Sequence, residues 1–227
     1  MMKGIKIAFD GPAASGKSTV AKEVAKRLSY LYVDTGAMYR AVTWKALCLG
    51  ADFRDEEAII AIAGQFPVEL KPSTDNAQGY VVIIDGVNVT DFLTSDEVNL
   101  YVSTVARISG VRKTLVAEQR ALAREGGVVM AGRDITTVVM PDAEVKVYLT
   151  ASSQERARRR FLEMEEKGEN PAMEAVVNNI EHRDTIDSSR EDSPLSVADE
   201  ATVIDSTGKS IEEVVHQVME LVRTERG

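Results

Sequence analysis

The chain has 227 residues and a formal net charge of −9; 44% of its residues are hydrophobic and 28% are charged. This length and composition predict one sizeable globular α/β domain with room for a small insert. The acidic charge argues against a general nucleic-acid or anionic-membrane binder. Cys48 is the only cysteine, which excludes an intramolecular disulfide, and no apolar run reaches the roughly 18 residues of a membrane span. We therefore expect a cytoplasmic protein with neither a membrane nor a nucleic acid as partner.

A phosphate-binding loop lies near the N-terminus. Residues 11–19 read Gly-Pro-Ala-Ala-Ser-Gly-Lys-Ser-Thr and match the pattern G-x-x-x-x-G-K-[ST]. The run at 5–10 predicts a buried strand before the loop, and the pattern at 19–28 predicts an amphipathic helix after it. Backbone N–H groups and the positive end of the helix dipole then converge on one point, which suits a phosphate. Lys17 is expected to reach the β- and γ-phosphates of a nucleotide, and Ser18 to ligate Mg²⁺.

Strands and helices alternate along most of the remaining chain, which predicts a parallel sheet with helices on both faces. Further strands are predicted at 30–34, 128–131, 144–149 and 202–205. Helices are predicted at 36–49, 55–65, 95–108 and 109–125 and after residue 210. Capping-box spacing marks the start of two of them, with Thr94 and Glu97 in one and Ser210 and Glu213 in the other.

Residues 66–93 break this alternation. They contain short β-type runs joined by turn signals, at 67–70, 80–84 and 87–90. Asp85-Gly86 between two of these runs is a strong hairpin signal. Because parallel strands need long crossovers, strands this close together predict a small antiparallel insert outside the main sheet. The core would then comprise residues 1–65 and 94–227, and the insert is either a substrate-side subdomain or a surface decoration.

Two polar blocks follow predicted strands of the main sheet. Residues 34–40 read Asp-Thr-Gly-Ala-Met-Tyr-Arg, and residues 131–134 read Ala-Gly-Arg-Asp. Open α/β sheets bind ligands at the carboxyl edge, so both blocks are candidates for a site beside the loop. Thr35, Tyr39 and Arg40 could hold a second, phosphorylated substrate there. The alternatives are an exposed arginine on an amphipathic helix for the first block and a structural Arg–Asp pair for the second.

Two charged blocks come later in the chain. Residues 156–160 include four arginines near a predicted helix start, where they oppose the helix dipole and repel one another. A lid that closes over nucleotide phosphates explains such a cluster, and a solvated face offset by nearby glutamates is the alternative. Arg183, Asp187 and Arg190 are spaced i, i+4, i+7, so they share one face if the helix continues. That face either meets a bound substrate or points to solvent.

Taken together, these blocks resemble the bacterial cytidylate kinases, which are P-loop nucleoside monophosphate kinases. The resemblance runs nearly end to end, and the pairing of Asp-Thr-Gly-Ala-Met-Tyr-Arg with Gly-Arg-Asp is more specific than the loop. It implies a P-loop three-layer α/β/α fold with a central parallel sheet, a small antiparallel NMP-binding β insert at 66–93 and an arginine-rich helical lid at about 152–168. The implied reaction is transfer of the γ-phosphoryl group of Mg-ATP to CMP or dCMP by a monomer, with Mg²⁺ as cofactor.

The resemblance also implies residue roles. The ATP-binding loop would consist of Gly11, Pro12, Ala13, Ala14, Ser15, Gly16, Lys17, Ser18 and Thr19. The CMP-binding residues would be Thr35, Tyr39, Arg40, Ser103, Arg112, Arg133, Asp134, Arg183, Asp187 and Arg190. In this set, Arg40 and Arg133 would bind the phosphate, Arg183 and Asp187 the pentose, and Thr35, Ser103, Arg112, Asp134 and Arg190 the cytosine. The catalytic residues would be Lys17, Arg133, Arg156 and Arg159, with Ser18 as the Mg²⁺ ligand.

Two rival functions stay open, because GTPases, ATPases and small-molecule kinases share the phosphate-binding loop. A UMP/CMP or AMP kinase would differ only in its acceptor. A GTPase-type switch would need a guanine-reading Asn-Lys-x-Asp run after a strand, and the sequence has none. Thr136 departs from the family pattern, which most often has glycine at this position.

Overall fold

The computed structural model describes residues 4–73, 79–166 and 168–226. The strands are β1 (Lys6–Asp10), β2 (Leu31–Asp34), β3 (Val68–Pro72), β4 (Tyr80–Ile84), β5 (Val87–Asn88), β6 (Val128–Ala131), β7 (Val145–Thr150) and β8 (Thr202–Asp205). The α-helices are α1 (Lys17–Leu28), α2 (Thr35–Cys48), α3 (Glu56–Gln65), α4 (Asp96–Arg107), α5 (Ser109–Ala123), α6 (Ser153–Glu166), α7 (Met173–Ser188) and α8 (Ile211–Arg226). The predicted strands and helices end within two residues of these bounds.

Five parallel strands form the central sheet in the order β2-β6-β1-β7-β8. β1 is the middle strand, and its Ile7 pairs with Val129 on one side and Val145 on the other. Ile7, Ala8 and Phe9 are fully buried, as expected when helices cover both faces of a sheet. α1 and α8 pack on one face, while α5 and a π-helical turn at Ile135–Val139 cover the other. The predicted three-layer α/β/α architecture is confirmed.

A second, antiparallel sheet has the order β3-β4-β5. Asp85 and Gly86 join its last two strands with φ angles of 52° and 72°, the left-handed geometry of a tight hairpin turn. Tyr80, Val82 and Ile84 point from β4 into a core shared with α2 and α3. The predicted small antiparallel sheet is confirmed. Residues 74–78 of the predicted insert lie outside the described residues, and its division from the core stays a prediction.

The start of α4 differs from the prediction. Ser95 caps this helix, and its side-chain oxygen accepts a hydrogen bond from the Val98 N–H at 3.4 Å. The predicted capping box of Thr94 and Glu97 is therefore wrong by one residue. A 3-10 turn at 90–92 precedes the helix, and its hydrogen bonds extend to the Ser95 N–H, so Thr94 still belongs to that turn. Composition alone does not distinguish adjacent hydroxyl residues as caps.

The other helix ends are closer to expectation. The capping box of α8 is confirmed, because the Ser210 N–H donates to Glu213 Oε2 at 2.8 Å and the Glu213 N–H donates to Ser210 Oγ at 3.3 Å. α7 ends at Ser188, so Arg190 lies beyond the helix and not on its face. α6 occupies most of the predicted lid, and residue 167 lies outside the described residues. Within the described ranges, no helix is both long and apolar enough to cross a lipid bilayer.

Candidate active site

The phosphate-binding loop connects β1 to α1 at the carboxyl edge of the central sheet. Gly11 and Gly16 have φ angles of 149° and 87°, which favour glycine, and Ala14 has a φ of 56°. A Cβ atom on Gly11 would lie 2.0 Å from the carbonyl oxygen of Leu149 in β7. Only glycine lets the loop pass this close to the neighbouring strand, so Gly11 fixes where the loop sits.

Lys17 is a buried cation that makes no ion pair with a described residue. Its Nζ donates a hydrogen bond to the carbonyl of Pro12 at 2.9 Å. Burial lowers the pKa of Lys17 well below its usual range, and the nearby Arg133 guanidinium lowers it further. A phosphate beside Nζ would offset both effects, so the loop favours an anionic ligand.

Two adjacent cavities open at this edge of the sheet. The loop cavity is lined by residues 13–19 together with side chains such as Asn99 and Arg160. The inner cavity lies beside it and is lined by all of the predicted CMP-binding residues: Thr35, Tyr39, Arg40, Ser103, Arg112, Arg133, Asp134, Arg183, Asp187 and Arg190. The structure therefore brings together residues from four separate blocks of sequence, while the role of each stays a prediction.

A buried ion pair forms one wall of the inner cavity. Arg112 of α5 pairs with Asp134, and both side chains are almost wholly buried. Arg112 also donates to the carbonyl of Ala106 at 3.1 Å and lies 5.6 Å from the ring centroid of Tyr39. This wall presents a carboxylate and a guanidinium side by side, and such a pair can form hydrogen bonds to the edge of a base.

Asp187 holds two further arginines of the inner cavity. Its carboxylate accepts a hydrogen bond from Arg133 Nε at 2.7 Å and pairs with Arg190. Burial opposes ionisation of Asp187, but the two guanidinium groups outweigh it and lower the pKa of the carboxyl. Arg190 thus joins the site through Asp187, although the helix ends before it.

Thr35 approaches the backbone of β6 closely. Its hydroxyl donates to the carbonyl of Ala131 at 3.0 Å. A Cβ atom on Gly132 would lie 2.6 Å from that hydroxyl oxygen and 2.6 Å from Cδ1 of Ile135. The absence of a side chain at Gly132 therefore leaves room for the first turn of α2, the helix that carries Arg40.

Three cations at the junction of the two cavities lack carboxylate partners among the described residues. Lys17, Arg40 and Arg183 each line both cavities and form no ion pair there. Burial and, to a smaller extent, the neighbouring arginines together lower the pKa of Arg183 to about 10. Asp34 opposes the falls in the pKa of Lys17 and Arg40 but does not prevent them, so the remaining positive charge favours an anionic ligand at this junction.

Asp10, the last residue of β1, ties the loop to the turn that carries Arg133. Its carboxylate accepts hydrogen bonds from the Ile135 N–H at 2.8 Å and the Thr136 N–H at 2.7 Å. The Thr136 hydroxyl donates a third at 2.6 Å, which glycine could not supply. Burial raises the pKa of Asp10, although these hydrogen bonds oppose the rise. The departure at Thr136 therefore adds a contact and leaves the turn in place.

Comparison with known proteins identifies the family of this chain. The family model for cytidylate kinase matches residues 7–224. The chain belongs to the cytidylate kinase family. Curated relatives named cytidylate kinase are 50% identical in Geobacillus kaustophilus and 52% identical in Geobacillus sp. strain WCH70, over 100% of both chains in each case. A crystal structure of an uncharacterized protein from Eubacterium ventriosum has a TM-score of 0.54 at 12% identity, covers 98% of this chain and 99% of its own, and supports the fold alone. The resemblance predicted from the motifs is confirmed.

In this member of the cytidylate kinase family, the predicted lid arginines Arg156 and Arg159 contact backbone carbonyls of the phosphate-binding loop. Arg156 donates to the carbonyl of Ala13 at 3.1 Å and to Asp184 at 2.6 Å. Arg159 donates to the carbonyl of Ser15 at 3.2 Å. Both side chains hold the loop backbone, and neither lines the loop cavity or the inner cavity.

Arg160 is the arginine of α6 that lines the loop cavity, although it was predicted only as a member of the lid cluster and was given no individual role. Glu155 accepts hydrogen bonds from Arg158 Nε at 3.0 Å and from Arg159 Nε at 2.9 Å. Glu155 lies one helical turn before Arg158 and Arg159, so its negative charge reduces the repulsion between these two arginines. Within the arginine cluster, Arg156 and Arg159 therefore hold the loop backbone, while Arg160 lines the loop cavity.

The sequence analysis also missed Asp34, Asn99 and Asp184 as site residues. Asp34 lines both cavities and makes no ion pair with a described residue. Asn99 accepts a hydrogen bond from Arg40 at 2.6 Å, and Asp184 accepts one from the Ala13 N–H at 3.3 Å. Asp34 and Asp184 lie within the polar and charged blocks that the sequence analysis singled out, so both could have been predicted as site residues. No sequence signal marks Asn99.

Proposed function

We propose that the chain transfers the γ-phosphoryl group of Mg-ATP to CMP or dCMP, giving ADP and CDP or dCDP. The proposal is carried by cations that the two cavities share, since Lys17, Arg40 and Arg183 line both and form no ion pair with any described residue. Phosphoryl transfer requires two phosphates to meet where positive charge is already in place. The junction of the cavities supplies that charge.

The donor nucleotide would occupy the loop cavity. Residues 11–19 offer backbone N–H groups at the start of α1, and Lys17 offers a cation for the terminal phosphates. Ser18 and Asp34 line the same cavity with a hydroxyl and a carboxylate, hard oxygen donors that fit Mg²⁺ directly or through water. Bound there, the metal ion would neutralise charge on the phosphates.

The acceptor would occupy the inner cavity, with its phosphate toward Arg40 and Arg133 and its pentose toward Arg183 and Asp187. Its base would lie against the Arg112–Asp134 pair. Cytosine presents an amino donor beside two acceptors, so a carboxylate and a guanidinium match its edge. Uracil presents an oxygen in place of the amino group, and a carboxylate repels that oxygen. A hydrogen-bonding site of this kind discriminates strongly between such bases.

The chemistry would be a direct in-line displacement. An oxygen of the acceptor phosphate forms a bond to the γ-phosphorus, and the bond from that phosphorus to the bridging oxygen of the β-phosphate breaks. ADP leaves with the electron pair of the broken bond. The attacking oxygen is already anionic, so no strong general base is needed. Lys17 and the site arginines contribute by holding the phosphates in line and by stabilising charge on the transferred group.

The proposal is tested by following ADP release from Mg-ATP with CMP, dCMP, UMP, AMP or GMP as acceptor. CMP and dCMP are expected to give kcat/KM values at least about 100-fold above those of AMP and GMP. Comparable values for AMP or GMP would contradict the cytidylate assignment. Nucleotide hydrolysis that proceeds equally fast without any acceptor would point to a switch protein instead.

A matched pair of variants on α1 separates the role of Lys17 from a general loss of positive charge. Lys17→Met is expected to lower kcat by about 100-fold or more, because the γ-phosphate loses its cation. Lys26→Met removes the same charge from an exposed position on the same helix and should leave kcat unchanged. Equal activities of the two variants would show that Lys17 does not serve the transferred phosphate.

A further inference from the structure

Asn99 of α4 holds the guanidinium of Arg40, which reaches it from α2. Its Oδ1 accepts a hydrogen bond from Arg40 Nη1 at 2.6 Å, and its Nδ2 donates to the carbonyl of Thr94 at 2.9 Å. These two contacts fix the orientation of the amide, because flipping it would set its NH₂ group against the guanidinium. The same Arg40 nitrogen also donates to the carbonyl of Leu93 at 3.4 Å. Arg40 therefore has a defined direction at the junction of the two cavities.

Within the described part of the chain, the hydrogen-bond acceptors of Arg40 are uncharged, which sets it apart from most arginines of the inner cavity. Three of those are held by carboxylates, namely Arg112 by Asp134 and both Arg133 and Arg190 by Asp187. A carboxylate would orient Arg40 equally well, but it would also cancel much of its charge. Burial lowers the pKa of Arg40, and the Asp34 carboxylate, which forms no ion pair with Arg40, only partly opposes the fall. A neutral acceptor orients this guanidinium and leaves its charge for a ligand.

We infer that Asn99 is a positioning residue that directs Arg40 toward the acceptor phosphate without neutralising it. The inference rests on the proposed function, in which Arg40 binds that phosphate. Asn99 itself need not touch the nucleotide, because it acts through the arginine. Two properties matter: the oxygen that orients Arg40 and the absence of charge on it. Asn99→Ala removes the first property, and Asn99→Asp keeps an oxygen but removes the second.

Titration calorimetry with CMP and with cytidine tests both properties. Cytidine has the same base and sugar but no phosphate, so it reports on the rest of the inner cavity. Asn99→Ala is expected to weaken CMP binding about tenfold, and Asn99→Asp about 100-fold, with cytidine binding unchanged. Both variants should fold, since alanine has the highest helix propensity and an acidic residue is favourable near the N-terminus of a helix. Asn178→Asp is the control, because it adds the same charge at an exposed position of α7 that lines neither cavity.

Arg40→Met separates the inference from the function on which it rests. If this variant binds CMP as well as the unmodified protein does, Arg40 is not a phosphate ligand and the proposed acceptor site is wrong. If it weakens CMP binding while both Asn99 variants bind normally, only the inference about Asn99 is overturned.

A double variant checks that Asn99 acts through Arg40. Once Arg40 is methionine, Asn99→Ala should have no further effect on CMP binding. A further tenfold loss in the Arg40→Met/Asn99→Ala double variant would also overturn the inference. Steady-state kinetics provides an independent readout, since the KM for CMP should rise more than the KM for ATP in the Asn99→Ala variant.

Discussion

The Arg112–Asp134 ion pair can be tested by removing each partner in turn. Arg112 and Asp134 have exposed fractions of only 3% and 5%. Asp134→Asn keeps the shape of the side chain but leaves the buried guanidinium without a counter-ion. Breaking a buried pair in this way lowers the free energy of unfolding by about 3–5 kcal/mol. Arg112→Met should cost about as much, because it leaves the carboxylate and the Ala106 carbonyl without their donor.

The double variant Arg112→Met/Asp134→Asn has neither charge, so its loss should fall short of the sum of the single losses by at least about 2 kcal/mol. Urea unfolding of the nucleotide-free protein at neutral pH, followed by circular dichroism, measures all three values. Asp52→Asn is a matched control in the exposed Asp52–Arg54 pair and should leave the unfolding midpoint unchanged. Single losses below about 1 kcal/mol, or losses that simply add in the double variant, would refute the reasoning.

Two further predictions concern the phosphate-binding loop. ADP binding at alkaline pH should be coupled to proton uptake by Lys17, because burial lowers its pKa and a phosphate raises that pKa again. Titration calorimetry in buffers of different ionisation enthalpy should show this proton uptake at pH values between the lowered pKa of Lys17 and the usual 10.5. Lys17→Arg should abolish the uptake. If the unmodified protein takes up no proton, Lys17 is not the phosphate ligand. Gly11→Ala should lower the free energy of unfolding by at least about 3 kcal/mol, because its Cβ would overlap the Leu149 carbonyl oxygen. Gly64→Ala in α3, where a Cβ meets nothing within 4 Å, should instead stabilise the protein by up to about 1 kcal/mol. Equal free energies of unfolding for the two variants would contradict the prediction that Gly11 is required for the close approach to Leu149.

Local patterns predicted most of the fold. The strand, loop and helix around residues 5–28 follow from an apolar run, two obligatory glycines and a helical period, all of which act within a few residues. The hairpin at Asp85-Gly86 is equally local. The order of the strands was not predicted, because it depends on contacts between distant segments such as β1 and β6. The α4 cap was missed because Thr94 and Ser95 are equally suitable caps and only the preceding turn selects between them.

The residues of the candidate site were predicted less completely than the fold. The carboxyl-edge rule placed residues 34–40 and 131–134 beside the loop, and the structure confirms that location. Arg112 came only from the family resemblance, since nothing in the pattern of α5 separates it from a surface arginine. The direction of Arg156 was beyond prediction, because a cluster of charges does not show which member is buried. Asn99 depends on how α2 packs against α4, which the sequence does not reveal.

α7 presents two consecutive residues to different parts of the active site. Arg183 lines both cavities, while Asp184 accepts a hydrogen bond from the Ala13 N–H and pairs with Arg156. Because a helix is stiff along its length, a displacement of Arg183 also displaces Asp184. Movement in the acceptor cavity is therefore coupled to movement of the phosphate-binding loop. We therefore expect the two substrates to be linked ligands, each changing the affinity of the other by the same factor.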